Sequence, residues 1–194
     1  MEIVTAWGTA REALSERPGF AALKDAGAVW RREKRYQHVE DAARQFTCFE
    51  VSGPEEPASN TPAPVSQKIW QALADQDRMI LRLQRDVGRQ DIEEAAWLYQ
   101  VHTDIPDDVA GEYNEWYDKE HLPRLVTVPG VLRARRYAAI GGEGPRYLTA
   151  YDLSDPDAFE SPQGLVARKT PWTARMRSLF FNTRRNMCKL ITAN

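Results

Sequence analysis

The second half of this chain repeats the first. Arg44-Gln-Phe-Thr-Cys-Phe-Glu-Val-Ser52 resembles Arg146-Tyr-Leu-Thr-Ala-Tyr-Asp-Leu-Ser154, matching Thr47 with Thr149, Phe49 with Tyr151 and Glu50 with Asp152 at an offset of 102 residues. The same offset pairs Trp70 with Trp172, Ala72 with Ala174 and Arg82 with Arg184, and Arg35-Tyr36 meets Arg136-Tyr137 at 101. Repetition constrains the fold more than any local signal, because each copy must be one supersecondary unit that leaves a face for the other to cover.

Each copy reads as strand, helix, strand, strand, helix and a short last strand. In the second copy Ala96–Thr103 alternates as a strand. Pro106, Asp107 and Asp108 open a helix through about Leu122, with acids at its positive end. Val131–Ile140 and Arg146–Leu153 are strands joined by a Gly-rich turn. Pro171 precedes a helix over Trp172–Arg184, and a last strand covers Asn186–Thr192. This is the order of the split βαβ, ferredoxin-like unit. Helices cover one face of its sheet, so two copies bury their bare faces together. The expected fold is α+β, two ferredoxin-like repeats packed sheet to sheet as an intramolecular α/β barrel. Residues 1–90 form a degenerate first repeat and 91–194 a second that carries the candidate site. Residues 53–64 read as a loop within the first copy, and roughly residues 84–95 join the copies.

With 42% hydrophobic and 28% charged residues over 194 positions, the chain suits a folded core. A net charge of −2 gives no broad footprint for nucleic acid or an anionic membrane. No apolar run approaches the roughly 18 residues of a membrane span, and no leader is visible, so a cytoplasmic protein is the expectation. Cys48 and Cys188 have no metal-ligand spacing, and a disulfide between them stays open.

The candidate site lies on Glu112-Tyr-Asn-Glu-Trp-Tyr-Asp-Lys-Glu-His-Leu-Pro123. At helical spacing Tyr113, Tyr117 and His121 form one stripe flanked by Trp116, while Glu112, Glu115 and Lys119 face water. His121 would sit at the mouth of a pocket walled by Tyr113, Trp116 and Tyr117, with Asp118 orienting the ring and a tyrosine polarising a substrate carbonyl. Because Pro123 disfavours helix at Leu122, His121 is expected in the last turn, where the helix dipole favours imidazolium. That makes it a general acid or anion holder rather than a base. The plainer reading is a core stripe with a histidine cap.

This segment, followed by Val128-Pro-Gly130 and Arg135-Arg-Tyr137, resembles the EthD-like branch of the dimeric α/β-barrel superfamily over about residues 96–185. The resemblance implies such a histidine in the cavity of each subunit. Trp7–Phe20, at the matching place of the first copy, has none, so one working site is expected. The superfamily holds cofactor-free monooxygenases, muconolactone-type isomerases, polyketide dehydratases and cyclases, haem enzymes and proteins of other roles, and fold alone does not choose among them.

Further candidates are His102, on the first strand of the second copy and able to face the same cavity; Arg135, sharing a strand face with Arg133 and Tyr137 and able to hold a substrate carboxylate; and Tyr151, as a pocket wall or as core. His38 falls in a hairpin turn. No phosphate loop, nucleophile elbow or metal motif occurs. The expected function is a small-molecule enzyme without cofactor or metal: an isomerase, lyase/dehydratase or monooxygenase acting on an aromatic, polyketide-like or lactone substrate by proton transfer. A non-catalytic ligand-binding barrel and a haem protein with His121 or His102 as axial ligand are the alternatives. Partners are limited to the small molecule, with no nucleic acid or membrane, in a monomeric pseudo-dimer or a homodimer.

Overall fold

A computed structural model describes residues 1–9, 30–51, 62–73, 77–91 and 95–193. The first-copy counterpart of the candidate helix and the loop of residues 53–64 fall almost wholly outside this set. Among the described residues there are eight strands: β1 (Glu2–Thr9), β2 (Trp30–His38), β3 (Arg44–Val51), β4 (Asp77–Gly88), β5 (Trp97–Asp104), β6 (Val131–Gly142), β7 (Tyr147–Leu153) and β8 (Phe181–Ala193). They hydrogen-bond in the order β1-β3-β2-β8-β5-β7-β6-β4 and close into a barrel. Replacing β1 by β5, β2 by β6, β3 by β7 and β4 by β8 returns the same cyclic order. The fold is α+β, as expected.

The strands matched by sequence also match in register. Val4 of β1 pairs with Phe49 of β3, and Tyr99 of β5 pairs with Tyr151 of β7. The helices match less well. Trp70 lies near the end of α1 (Pro64–Ala72), whereas Trp172 lies in the first turn of its helix, so the two share an element but not a position.

The last strands are longer than their sequence suggests. β4 runs to Gly88, taking in part of the expected 84–95 connection, and β8 begins at Phe181. The helix expected to reach Arg184 stops at Ser178, and Asn182 turns the chain into β8 at φ 49°. Side-chain patterns underestimate both strands because their outer ends are paired through backbone groups while charged residues face water. Residues 1–83, 138–144 and 188–194 form one compact unit, and residues 84–137 and 145–187 a second. Neither is contiguous, since β4, β6 and β8 run through both.

In the first unit Val4, Ala6, Phe49, Val51 and Ile80 of the strands bury against Ile69 and Leu73. The Glu2 carboxylate accepts from Ala63 N–H at 3.0 Å, Ser66 Oγ at 2.7 Å and Arg82 Nη2 at 3.0 Å, fixing the start of α1 to the sheet. Cys48 and Cys188 are both free thiols, and burial pushes Cys188 up to about 12.

The second unit holds the candidate helix. A short 3-10 turn (Asp107–Val109) leads into α2 (Ala110–Trp116), a π turn (Tyr117–His121) and α3 (Leu122–Leu125). It also holds α4 (Pro162–Ala167) and α5 (Pro171–Ser178). Ser161 and Thr170 cap these two by accepting from Gly164 N–H and Thr173 N–H, a direct cause of their starting points. Among the described residues no helix is long and apolar enough to cross a membrane.

Gly142 ends β6 at φ +103°, and a Cβ there would stand 2.5 Å from the Arg78 carbonyl oxygen. Gly141, beside it, would meet only Ile80 at 3.4 Å. Gly142→Ala should therefore lose about 1–3 kcal/mol in urea unfolding, with Gly141→Ala losing distinctly less.

Candidate functional site

The helix that carries the site does not end at His121, as expected from Pro123. Leu122 is helical, and its N–H donates to the carbonyl of Tyr117, five residues back. This wide turn stands immediately before Pro123, which has no N–H to give and whose ring would crowd the carbonyl four residues earlier. The π turn absorbs the proline and the chain continues to Leu125.

The consequence is a displaced histidine. On a regular α-helix residues 116 and 121 lie about 140° apart around the axis. Here the His121 ring stacks on Trp116 with centroids 4.1 Å apart and planes at 27°, while Tyr117 meets it edge-on at 5.3 Å. Trp116 is itself fixed, its Nε1 donating to Thr173 Oγ1 of α5 at 3.2 Å. Glu112 adds a second tie, accepting from Trp172 Nε1 at 3.1 Å and Arg175 Nε at 2.8 Å.

Between this helix and the sheet lies a cavity of about 40 Å³. Trp116, Tyr117, His121 and Leu125 line it from the helix, Tyr99 and Val101 from β5, and Tyr151 from β7. Phe159, Phe180 and the guanidinium-bearing Arg168, Arg177 and Arg185 complete it. Tyr99, Tyr151 and Phe159 form an aromatic corner, with centroids 5.1 to 6.1 Å apart.

His121 is 5% exposed, and its Nδ1 is buried without a hydrogen-bond partner. Burial first, then the charges of Arg177 and Arg168, push it down to about 3. The imidazole is therefore neutral, which overturns the expected imidazolium, and with it the general acid: the helix end that would have stabilised the cation lies a turn further on. Burial also pushes the phenols of Tyr113, Tyr117 and Tyr151 up, so all three are neutral donors.

The other expected residues divide. Tyr117, Trp116 and Tyr151 join His121 at the cavity. Tyr113 stands one layer behind, against Tyr117 at 4.9 Å and Tyr147 at 4.8 Å, where Arg136 lies over its ring at 4.7 Å. Asp118 does not orient the imidazole: its side chain is 44% exposed and makes its ion contact with Arg85 at 3.8 Å. His102 lies with Leu98 and Gln100 on the face of β5 opposite Tyr99 and Val101, so strand alternation turns it from the cavity. Arg135 also lies on that far face, its Nη2 donating to Asp152 Oδ2 at 2.7 Å. It is a core ion pair and no anion anchor. His102, His121 and Asp118 accordingly do not converge on a metal position.

The arginines at the cavity were missed. A signal existed: from residue 161 to 194 the chain has five arginines and two lysines but no acid, in a protein of net charge −2. Periodicity could not use it, because Arg168, Arg177 and Arg185 come from the end of α4, from α5 and from β8.

No family model matches this chain, and no curated protein matches it in sequence. Solved structures do match in shape. A monooxygenase-like protein from Listeria innocua shares a TM-score of 0.60 at 12% identity, covering 98% of this chain and 94% of that one. An anthrone oxidase-like protein gives 0.58 at 14%, covering 100% and 92%. A heme-degrading enzyme from Listeria monocytogenes gives 0.59 at 9%, covering 97% and 99%. At these identities the likeness is one of fold, the ferredoxin-like barrel.

A histidine held below its ordinary value stays neutral when folded while the unfolded chain takes up its proton. The unfolded state then binds more protons between the two values, so stability is full above about 6.5 and falls as pH drops toward 3. Urea unfolding between pH 6.5 and 5, above the main carboxylate range, should show a slope of up to about 1.4 kcal/mol per pH unit from this group. His121→Phe should flatten it.

Proposed function

We propose that this protein is a small-molecule enzyme in which neutral His121 takes a proton from an acidic C–H or O–H of an aromatic substrate. The observation that carries this reading is the unpartnered, buried Nδ1 of an imidazole that lines an aromatic cavity. A neutral imidazole carries one acceptor nitrogen, and among the described residues no protein group occupies Nδ1. Trp116 fixes the plane of the ring, and among the described residues no carboxylate lines the cavity beside it.

Proton removal leaves an enolate or phenolate. Tyr117, edge-on to His121, is the neutral phenol placed to donate to that oxygen, and the guanidinium groups at the cavity supply positive charge close by. Proton abstraction of this kind is shared by isomerisation, dehydration and the direct reaction of a carbanion with dioxygen, and the monooxygenase-like and anthrone oxidase-like neighbours support the last by fold analogy alone.

No step here is routed through a haem: His102 points from the opposite face of the sheet, and one face of the His121 ring is covered by Trp116.

The test is proton exchange. Benzoylacetone in D2O should lose its acidic C–H signal faster with the protein than without it, measured by NMR. His121→Gln should cut the catalysed rate by about 10²–10⁴, and Tyr117→Phe should lower it with the fold intact. Exchange that ignores His121 would leave the cavity as a binding site only.

A further inference from the structure

We propose that the ligand of this cavity is an aromatic carboxylate, its ring between the helix and sheet aromatics and its carboxylate held by Arg177 and Arg185, with Arg168 beside them. The inference rests on this cavity being the working site.

Among the described residues three guanidinium groups line the cavity and no carboxylate does. Arg168 is bonded to Glu160 at 3.1 Å, but that acid is 69% exposed and outside the lining. Among the described residues no acid pairs with Arg177 or Arg185. Arg177 is held below its ordinary value by burial and then by the charge of Arg168, with Arg185 adding to it. Like charges gathered beside an apolar cavity repel one another, and a planar anion that accepts from two of them relieves this with paired charge-assisted bonds.

The walls set the rest of the ligand. Tyr99, Tyr151 and Phe159 face Trp116 and His121, surfaces that suit the face and edge of a single ring. The enclosed 40 Å³ is below the roughly 150 Å³ of a cavity that takes benzene. Arg177 and Arg185 line the cavity yet are exposed, so they are the side chains the proposal has yield to an entering ring and meet its carboxylate.

Such a ligand changes the base. The titratable and charged groups around His121 are Tyr117 on its own helix, Tyr99 and Tyr151 from the sheet, and the three arginines. After burial it is Arg177 and Arg168 that hold the imidazole down. A carboxylate among them cancels their field, so the substrate's own charge raises the basicity of the group that deprotonates it.

Calorimetric titration with benzoate and with its neutral isostere benzamide decides the matter. Benzoate should bind at least about tenfold more tightly, a preference that one charge-assisted pair supplies. R177Q/R185Q should erase the preference. R175Q, whose guanidinium pairs with Glu112 away from the cavity, should keep it. Equal binding of the two probes, no benzoate binding, or equal losses in R175Q and R177Q/R185Q would overturn the proposal. The two readings fail separately. His121-dependent exchange on benzoylacetone without a benzoate preference leaves the base and removes the anion site. The reverse result keeps the anion site and removes the base.

Discussion

The stacking of His121 on Trp116 is the contact on which the site depends. Trp116 is buried on all sides and tied to α5 through Thr173, so the tryptophan is the fixed wall and the imidazole is laid against it. The π turn makes this possible by bringing residue 121 over residue 116, and Pro123 is the reason for a wide turn at that point. One proline thus favours the turn that lays the ring against Trp116. An ordinary α-helix through the same residues would put the imidazole elsewhere around the axis, and the aromatic corner on the sheet would face a different side chain.

Charge is sorted by the two faces of the sheet in the second unit. On the face away from the helices Arg135 and Asp152 neutralise each other, and Arg133 does the same with Asp86. On the helix-covered face Arg136 lies over Tyr113, Tyr117 and Tyr147 and is bonded to Asn114, Arg168 pairs with the exposed Glu160, and Arg177 and Arg185 reach the cavity with no acid partner among the described residues. Positive charge held beside aromatic rings without a carboxylate costs solvation. The proposed ligand would supply the missing negative charge.

Much of the architecture was legible in the chain. The match of residues 44–52 with 146–154 marks two strands whose registers agree in the structure, Phe49 and Tyr151 both facing helices. Alternation in β5 and β7 and the proline and acid signals before α2 were also readable. The aromatic stripe was recognised as buried, and four of its expected companions, Trp116, Tyr117, His121 and Tyr151, do meet. Tyr113 lies on the expected stripe against Tyr117 but one turn before the cavity, and a helical wheel gives no position along the axis. Asp118 failed because a helical wheel assumes one pitch throughout, and the π turn rotates it toward Arg85. His102 and Arg135 were assigned by strand alternation to a correct face, but sequence does not say which face the helices cover.

By itself the sequence determined the periodicities: which residues form strands, which stripe is apolar, and that similar segments recur 102 residues apart. These depend on neighbours within a few residues, where backbone geometry and side-chain alternation act directly. Tertiary structure alone decided that His121 is neutral and that three arginines from α4, α5 and β8 meet it. Those facts arise from burial and from charges brought together across more than 40 residues of chain, and neither has a local signature.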